Sequence, residues 1–128
     1  MLTYLDSSAL VKLVVEEAES QALEAMLRAA VITSSRLSDV EVTRAASRRG
    51  GAVVARARSV IGRVALIPLD EGIFVQARSV RPAALRSLDA IHLASALAIR
   101  EQIEVLITYD GRMAEAAVSL GLRTTAPR

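Results

Sequence analysis

The chain has 128 residues, 52% apolar and 23% charged, with sixteen basic and fourteen acidic side chains and a net charge of +2. That length and composition suit one domain, residues 1–128, with a packed core, and exclude a disordered chain. No cysteine is present and only one histidine, so disulfides, thiolate metal sites, cysteine nucleophiles and His-rich zinc sites are excluded, and three aromatics (Tyr4, Phe74, Tyr109) are too few for a base-stacking platform.

Leu2-Thr3-Tyr4-Leu5 is a β-prone run ending at Asp6. Ser7 and Ser8 open a helix carrying Ala9, Leu10, Leu13 and Val14 at helical spacing. The acidic stretch around Glu16, Glu17 and Glu19 reads as a solvated turn before a second helix with Leu23, Met26 and Leu27. Val31-Ile32-Thr33 predicts a strand, and a helix follows over 38–49, stopped by Gly50-Gly51. Another helix covers 52–63, and Ala65-Leu66-Ile67 is a third strand ended by Pro68. Asp70, with Glu71 behind it, caps a helix over 70–80, which Arg81-Pro82 breaks. Ser87 caps a long helix to residue 100, 105–108 is a fourth strand, and a helix over 111–120 ends at Gly121. A last short strand is expected within 122–125.

Strands alternate with helices, and hairpin signals are absent. The expected fold is therefore α/β, a mainly parallel sheet covered by helices on both faces. No secretion leader or membrane span is read: Asp6 interrupts the N-terminal apolar stretch, and the charge-free run 90–99 is about half a membrane span. A cytoplasmic protein with no membrane partner is expected.

Charge is unevenly spread. Residues 1–40 carry net −3, residues 41–64 net +5, and the remainder balances. The basic segment (Arg44, Arg48, Arg49, Arg56, Arg58, Arg63) suits a phosphate backbone, or equally a solvated helical face.

Four acids stand where this topology gathers ligands. Asp6 and Asp110 follow the first and fourth strands, whose carboxyl ends share one sheet edge. Glu41 and Asp89 fall in the expected first turns of their helices. Singly, each has a plain structural role. Asp6 and Asp110 suit N-caps, Ser38-Asp39-Val40-Glu41 fits a capping box, and Asp89 complements a helix dipole. Jointly, clustered carboxylates must take up protons or share a counter-ion. An all-oxygen site favours a hard cation such as Mg²⁺ or Mn²⁺, and the chemistry such a site permits is phosphodiester hydrolysis by activated water. Arg44 and Arg48, three and seven residues beyond Glu41, are placed to touch flanking phosphates or to screen the acids.

The segments Tyr4-Leu5-Asp6-Ser7-Ser8-Ala9-Leu10-Val11-Lys12, Glu41-Val42-Thr43-Arg44-Ala45, Leu88-Asp89-Ala90-Ile91-His92-Leu93-Ala94-Ser95-Ala96 and Thr108-Tyr109-Asp110 resemble, in order, the motifs of PIN domains. They are most similar to the toxin ribonucleases of VapBC-type toxin–antitoxin pairs. The resemblance implies a three-layer α/β/α sandwich and a Mg²⁺- or Mn²⁺-dependent endoribonuclease. It also implies a homodimer neutralised by a cognate antitoxin. By that resemblance Asp6, Glu41, Asp89 and Asp110 are the acidic quartet, with Asp6 and Asp110 the first ligands. Ser7, Ser8 and Thr108 are supporting groups by the same resemblance. Gly111 departs from the bulkier residue frequent there. His92 reads as a packed helix residue. A nuclease of the same family acting on structured DNA ranks behind RNA, since the compact chain lacks elements to clamp a duplex. Two rivals of other function classes remain open at this point. One is an inactive binding module that keeps the fold. The other is a receiver-like signalling domain with Asp70 as phosphoacceptor, against which stands the lack of any lysine but Lys12.

Overall fold

The computed structural model, which describes residues 1–128, forms a five-stranded sheet in the order β3-β2-β1-β4-β5. The strands are β1 (Leu2–Leu5), β2 (Val31–Ser35), β3 (Ala65–Ile67), β4 (Ile103–Ile107) and β5 (Thr124–Thr125). Every neighbouring pair is parallel. The helices are α1 (Ser7–Val14), α2 (Ser20–Leu27), α3 (Leu37–Ser47), α4 (Gly51–Ile61), α5 (Glu71–Ala77), α6 (Ser87–Ala98) and α7 (Gly111–Ser119), with a 3-10 turn at Arg100–Gln102. The expected α/β sandwich with a parallel sheet is what forms.

The pleat divides the apolar residues between two cores, because successive strand side chains point to opposite faces. Leu5 and Ile107 pack with Leu10, Leu23, Val42, Ala46, Ala57 and Val60 from α1 to α4. Tyr4 and Leu106 pack on the other face with Leu93, Ala96, Met113, Ala116 and Leu122. Neighbouring residues of β1 and β4 thus anchor separate layers. No helix is long and apolar enough to cross a membrane.

The chain builds outward from β1 through β2 to β3, then returns across the sheet to place β4 on the other side of β1. That reversal makes a crevice beyond the carboxyl ends of β1 and β4, the place where open α/β sheets bind ligands. The same order removes the receiver reading. A receiver sheet runs 2-1-3-4-5 and centres its third strand; here β3 is an edge strand. Asp70 is exposed and caps α5, accepting from Ile73 N at 3.0 Å.

Several local expectations need correction. The Ser38–Glu41 capping box does not form, because α3 begins earlier, at Leu37, and Glu41 lies in its second turn. Ser35 Oγ accepts the Leu37 N–H at 3.1 Å, while Ser38 Oγ pairs with Ser34 Oγ at 2.7 Å. Ser87 is not the cap of α6 but its first residue; extended Arg86 holds the cap position without a side-chain bond. The 16–19 turn is not merely solvated, since Lys12 Nζ bonds Glu19 at 2.9 Å and Glu17 at 3.3 Å. Burial would lower the Lys12 ammonium, but the two carboxylates outweigh it and hold it above its ordinary value.

The end of α7 shows why Gly121 stops the helix. Gly121 takes φ +88°, its N–H bonds Val118 O, and the Leu122 N–H bonds Ala117 O. This is the left-handed helix cap in which glycine avoids a Cβ clash, with Leu122 tucked into the core. A Cβ at Gly121 would also stand 2.9 Å from Arg100 Nη2. Gly121→Ala is expected to destabilise the fold by about 1–2 kcal/mol in urea denaturation. An unchanged midpoint would show that the cap carries no strain.

Candidate active site

Asp6 ends the central strand and is 4% exposed. Its backbone N–H still follows the sheet, bonding Ile107 O, while its side chain caps α1 by accepting from Ala9 N at 3.0 Å. Two hydroxyls complete its shell. Ser8 Oγ donates to Oδ1 at 2.6 Å, and Thr108 Oγ1 donates to Oδ2 at 2.5 Å. Burial nevertheless pushes the Asp6 carboxyl above its usual value, against the pull of these donors.

The same hydroxyls reach the second acid. Thr108 Oγ1 accepts from Asp110 N at 3.1 Å, and Ser8 Oγ accepts from Tyr109 N at 3.1 Å. Asp110 caps α7 by accepting from Arg112 N at 2.9 Å and Met113 N at 3.3 Å. The β1 and β4 carboxylates are therefore joined through Ser8 and Thr108. Ser7, expected as an equal alternative to Ser8, makes no side-chain hydrogen bond.

Asp89 enters from the first turn of α6. It lines a cleft of about 350 Å³ with Asp110, Arg86, Gly111 and Arg112. Burial first, then the charges of Asp110 and Asp6, push its carboxyl upward, with His92 and then Arg86 pulling the other way. Three of the four expected acids thus share one electrostatic neighbourhood.

Glu41 joins through a contact that sequence reasoning missed. His92 Nε2 stands 2.7 Å from Glu41 Oε1, and His92 Nδ1 stands 2.8 Å from the Tyr4 hydroxyl. His92 is 1% exposed and Tyr4 fully buried. One signal was available: Asp89 and His92, three residues apart on one helix, share a face. What no local pattern gives is the meeting of α6 with α3.

Arg86 and Arg112 were also missed. Both are exposed, line the acidic cleft and form no ion pair. Their adjacency in sequence to Asp89 and Asp110 was the usable clue. Arg44, on α3, and Arg48, just past its end, are exposed and do not line this cleft.

The donor set suits a hard divalent ion. Carboxylate and hydroxyl oxygens are its preferred ligands, and at Asp89 the charges of Asp110 and Asp6 add to burial in disfavouring the ionised carboxyl. As the side chains stand, no three acidic or histidine groups close around one point. The residues that would hold such an ion are Asp6, Asp89 and Asp110.

The raised Asp6 value has a sign for stability. A carboxyl that binds its proton more tightly when folded supports the fold below its unfolded value, near pH 4, and loses that support as pH rises through the folded value. Asp6→Asn cannot ionise and keeps an oxygen for Ala9 N. In chelator at pH 7 it is expected to be more stable than the parent by about 1 kcal/mol, with the advantage shrinking toward pH 4 in thermal melts. A less stable variant at neutral pH would mean that the ionised carboxylate supports the fold.

The chain is similar along nearly its whole length to proteins of known name. Ribonuclease VapC46 of Mycobacterium tuberculosis is 42% identical over 125 residues, covering 97% of this chain and 96% of that protein. Ribonuclease VapC47 of the same species is 36% identical over 132 residues, covering 98% and 97%. Among solved structures, M. tuberculosis VapC20, a Sarcin-Ricin loop cleaving toxin, superposes with a TM-score of 0.75 at 20% identity, covering 98% of this chain and 99% of that one. VapBC2 from Rickettsia felis, bound to a DNA fragment from its promoter, gives 0.69 at 14% identity, with both chains covered in full. The sequence profile of the PIN domain matches residues 3–119, and with these relatives it establishes that the chain belongs to the PIN domain family.

Proposed function

We propose that residues 1–128 act as one domain, the endoribonuclease toxin of a VapBC-type pair, hydrolysing RNA phosphodiesters with Mg²⁺ or Mn²⁺ and neutralised by a cognate antitoxin. The observation that carries this reading is that Ser8 and Thr108 tie Asp6 to the Asp110 loop at the ends of β1 and β4, while Asp89 lines one cleft with Asp110. The named ribonuclease relatives, matched over nearly their whole lengths, support the substrate class. The antitoxin partner is supported by structural neighbours that include a toxin–antitoxin complex from Klebsiella pneumoniae. A homodimer in the cytoplasm completes the proposal.

In this reading Asp6, Asp89 and Asp110 hold the cation, and Glu41 either joins them or orients water beside them. When bound, the ion supplies Lewis-acid activation of water and neutralises charge developing on the phosphate. The chain's own residues do the rest. Ser8 and Thr108 fix Asp6 in one rotamer by bonding both of its oxygens. The α7 N–H groups hold Asp110. Arg86 and Arg112 draw the phosphate backbone into a cleft whose acids would otherwise repel it. Arg44 and Arg48 are assigned outlying phosphates.

The test is expression without antitoxin, followed by mapping of new RNA 5′ ends. Growth arrest and new ends are expected for the parent, and their loss for Asp6→Asn, Asp89→Asn and Asp110→Asn at about 100-fold or more. Purified parent that cuts no RNA with either ion, or an Asp6→Asn protein that cuts normally, would overturn the reading. Arg86→Ala and Arg112→Ala are each expected to weaken RNA binding and lower the slope of log affinity against log salt by about one. Unaltered slopes would remove these arginines from the phosphate path.

A further inference from the structure

His92 and Tyr4 are buried polar groups to which the proposed reaction assigns nothing. They lie in one chain of hydrogen bonds that crosses the sheet. The Ser35 N–H donates to the Tyr4 hydroxyl at 3.2 Å, the hydroxyl bonds His92 Nδ1 at 2.8 Å, and His92 Nε2 meets Glu41 Oε1 at 2.7 Å. The direction of the bonds follows from the donors. Glu41 Oε1 is a carboxylate oxygen and can only accept, so the proton between the two groups sits on Nε2. The other ring nitrogen is left to accept the Tyr4 O–H, whose oxygen accepts from the Ser35 N–H. Nδ1 is then an acceptor, and Nε2 carries the N–H that donates to Glu41. The Tyr4 ring also meets the imidazole edge-on, with centroids 6.1 Å apart and planes at 86°, which holds the ring's rotation. No buried side-chain polar atom in the protein lacks a partner, so the chain is complete.

We infer that His92 is a positioning residue for Glu41, with Tyr4 donating to Nδ1 and so supporting the Nε2–H tautomer that Glu41 requires. The inference rests on the proposed nuclease reading and adds a role to it. Glu41 lies in the second turn of α3, its side chain part-exposed, and a glutamate there has three free torsions. The His92 N–H ties down Oε1 and leaves Oε2 with no protein partner, so one oxygen stays available to a cation or a water. The same contact pins α3 to α6, the helix that carries Asp89. A metal-site carboxylate held by a second side chain in this way commonly loses 10- to 100-fold in ion affinity or activity when the holder is removed.

The experiment compares Tyr4→Phe, His92→Gln, His92→Leu, Glu41→Gln and the double variant His92→Leu/Glu41→Gln, all below their melting temperatures. Glutamine at 92 retains an N–H donor; leucine retains volume only. Mn²⁺ affinity, read by calorimetry, is expected to fall by about 10-fold in His92→Leu and to be largely kept in His92→Gln. RNA cleavage should follow the same order. Once Glu41 is glutamine, adding His92→Leu should cost nothing further, because His92 acts only through Glu41. Imidazole ¹⁵N shifts should report a single Nε2–H tautomer in the parent, and in Tyr4→Phe the Nδ1 resonance should move as that nitrogen loses its donor. Full additivity of the two substitutions, equal loss in His92→Gln and His92→Leu, or an Nδ1–H tautomer in the parent would each overturn the inference. The ¹⁵N and Mn²⁺ readouts decide this even if the parent cleaves no RNA, so failure of the nuclease reading is distinguishable from failure of the positioning role.

Discussion

The arrangement depends on a carboxylate placed at the end of the central strand, where water barely reaches. Asp6 is taken out of solvent by the strands and helices that flank β1. A buried carboxylate is tolerable only if donors replace the water it lost. Ser8, Thr108 and the Ala9 N–H do so from three directions. Because Thr108 follows β4, the need to satisfy Asp6 also fixes the loop that carries Tyr109 and Asp110. One desolvated side chain thereby sets the relative position of two strand ends and two helix N-termini.

Capping and site membership turn out to be the same fact for two of the acids. Asp6 and Asp110 both accept helix N–H groups, which are partial positive charges near a cluster that otherwise has few. A carboxylate has about four lone-pair directions, so an N-cap bond does not exhaust it. Capping holds the oxygen in place, and the remaining directions stay open to a ligand. Burial still pushes the Asp6 and Asp89 carboxyls upward, and at Asp89 the charges of Asp110 and Asp6 add to it, so the donors around them replace only part of the lost water.

Cationic groups divide by location. The basic run through α3 and α4 is the obvious feature of the sequence, yet none of its arginines lines the acidic cleft. Arg56 instead bonds Leu13 O and faces Glu24, a packing role between α4 and the first two helices. The arginines in the cleft are the two next to the acids in helix-start segments, Arg86 and Arg112. A local charge count finds density of charge; it does not find direction, which depends on where each helix is laid on the sheet.

Most of the fold was legible because its signals are local. Alternating apolar runs and helical spacing marked nearly every element, Gly121 and Asp70 marked a helix end and a helix start, and the motif segments around Asp6, Glu41, Asp89 and Asp110 identified the family. Boundaries failed where two residues compete for one local role, as when Ser35 rather than Ser38 meets the first N–H of α3. Tertiary structure alone decided that β3 lies at the sheet edge, that Thr108 serves Asp6 across 102 residues, and that Glu41 is held by His92 instead of closing a capping box. Those outcomes turn on which desolvated donor finds which acceptor across the sheet. That choice is made by the packed whole, since hydrogen bonds between distant residues leave no periodic trace in the chain.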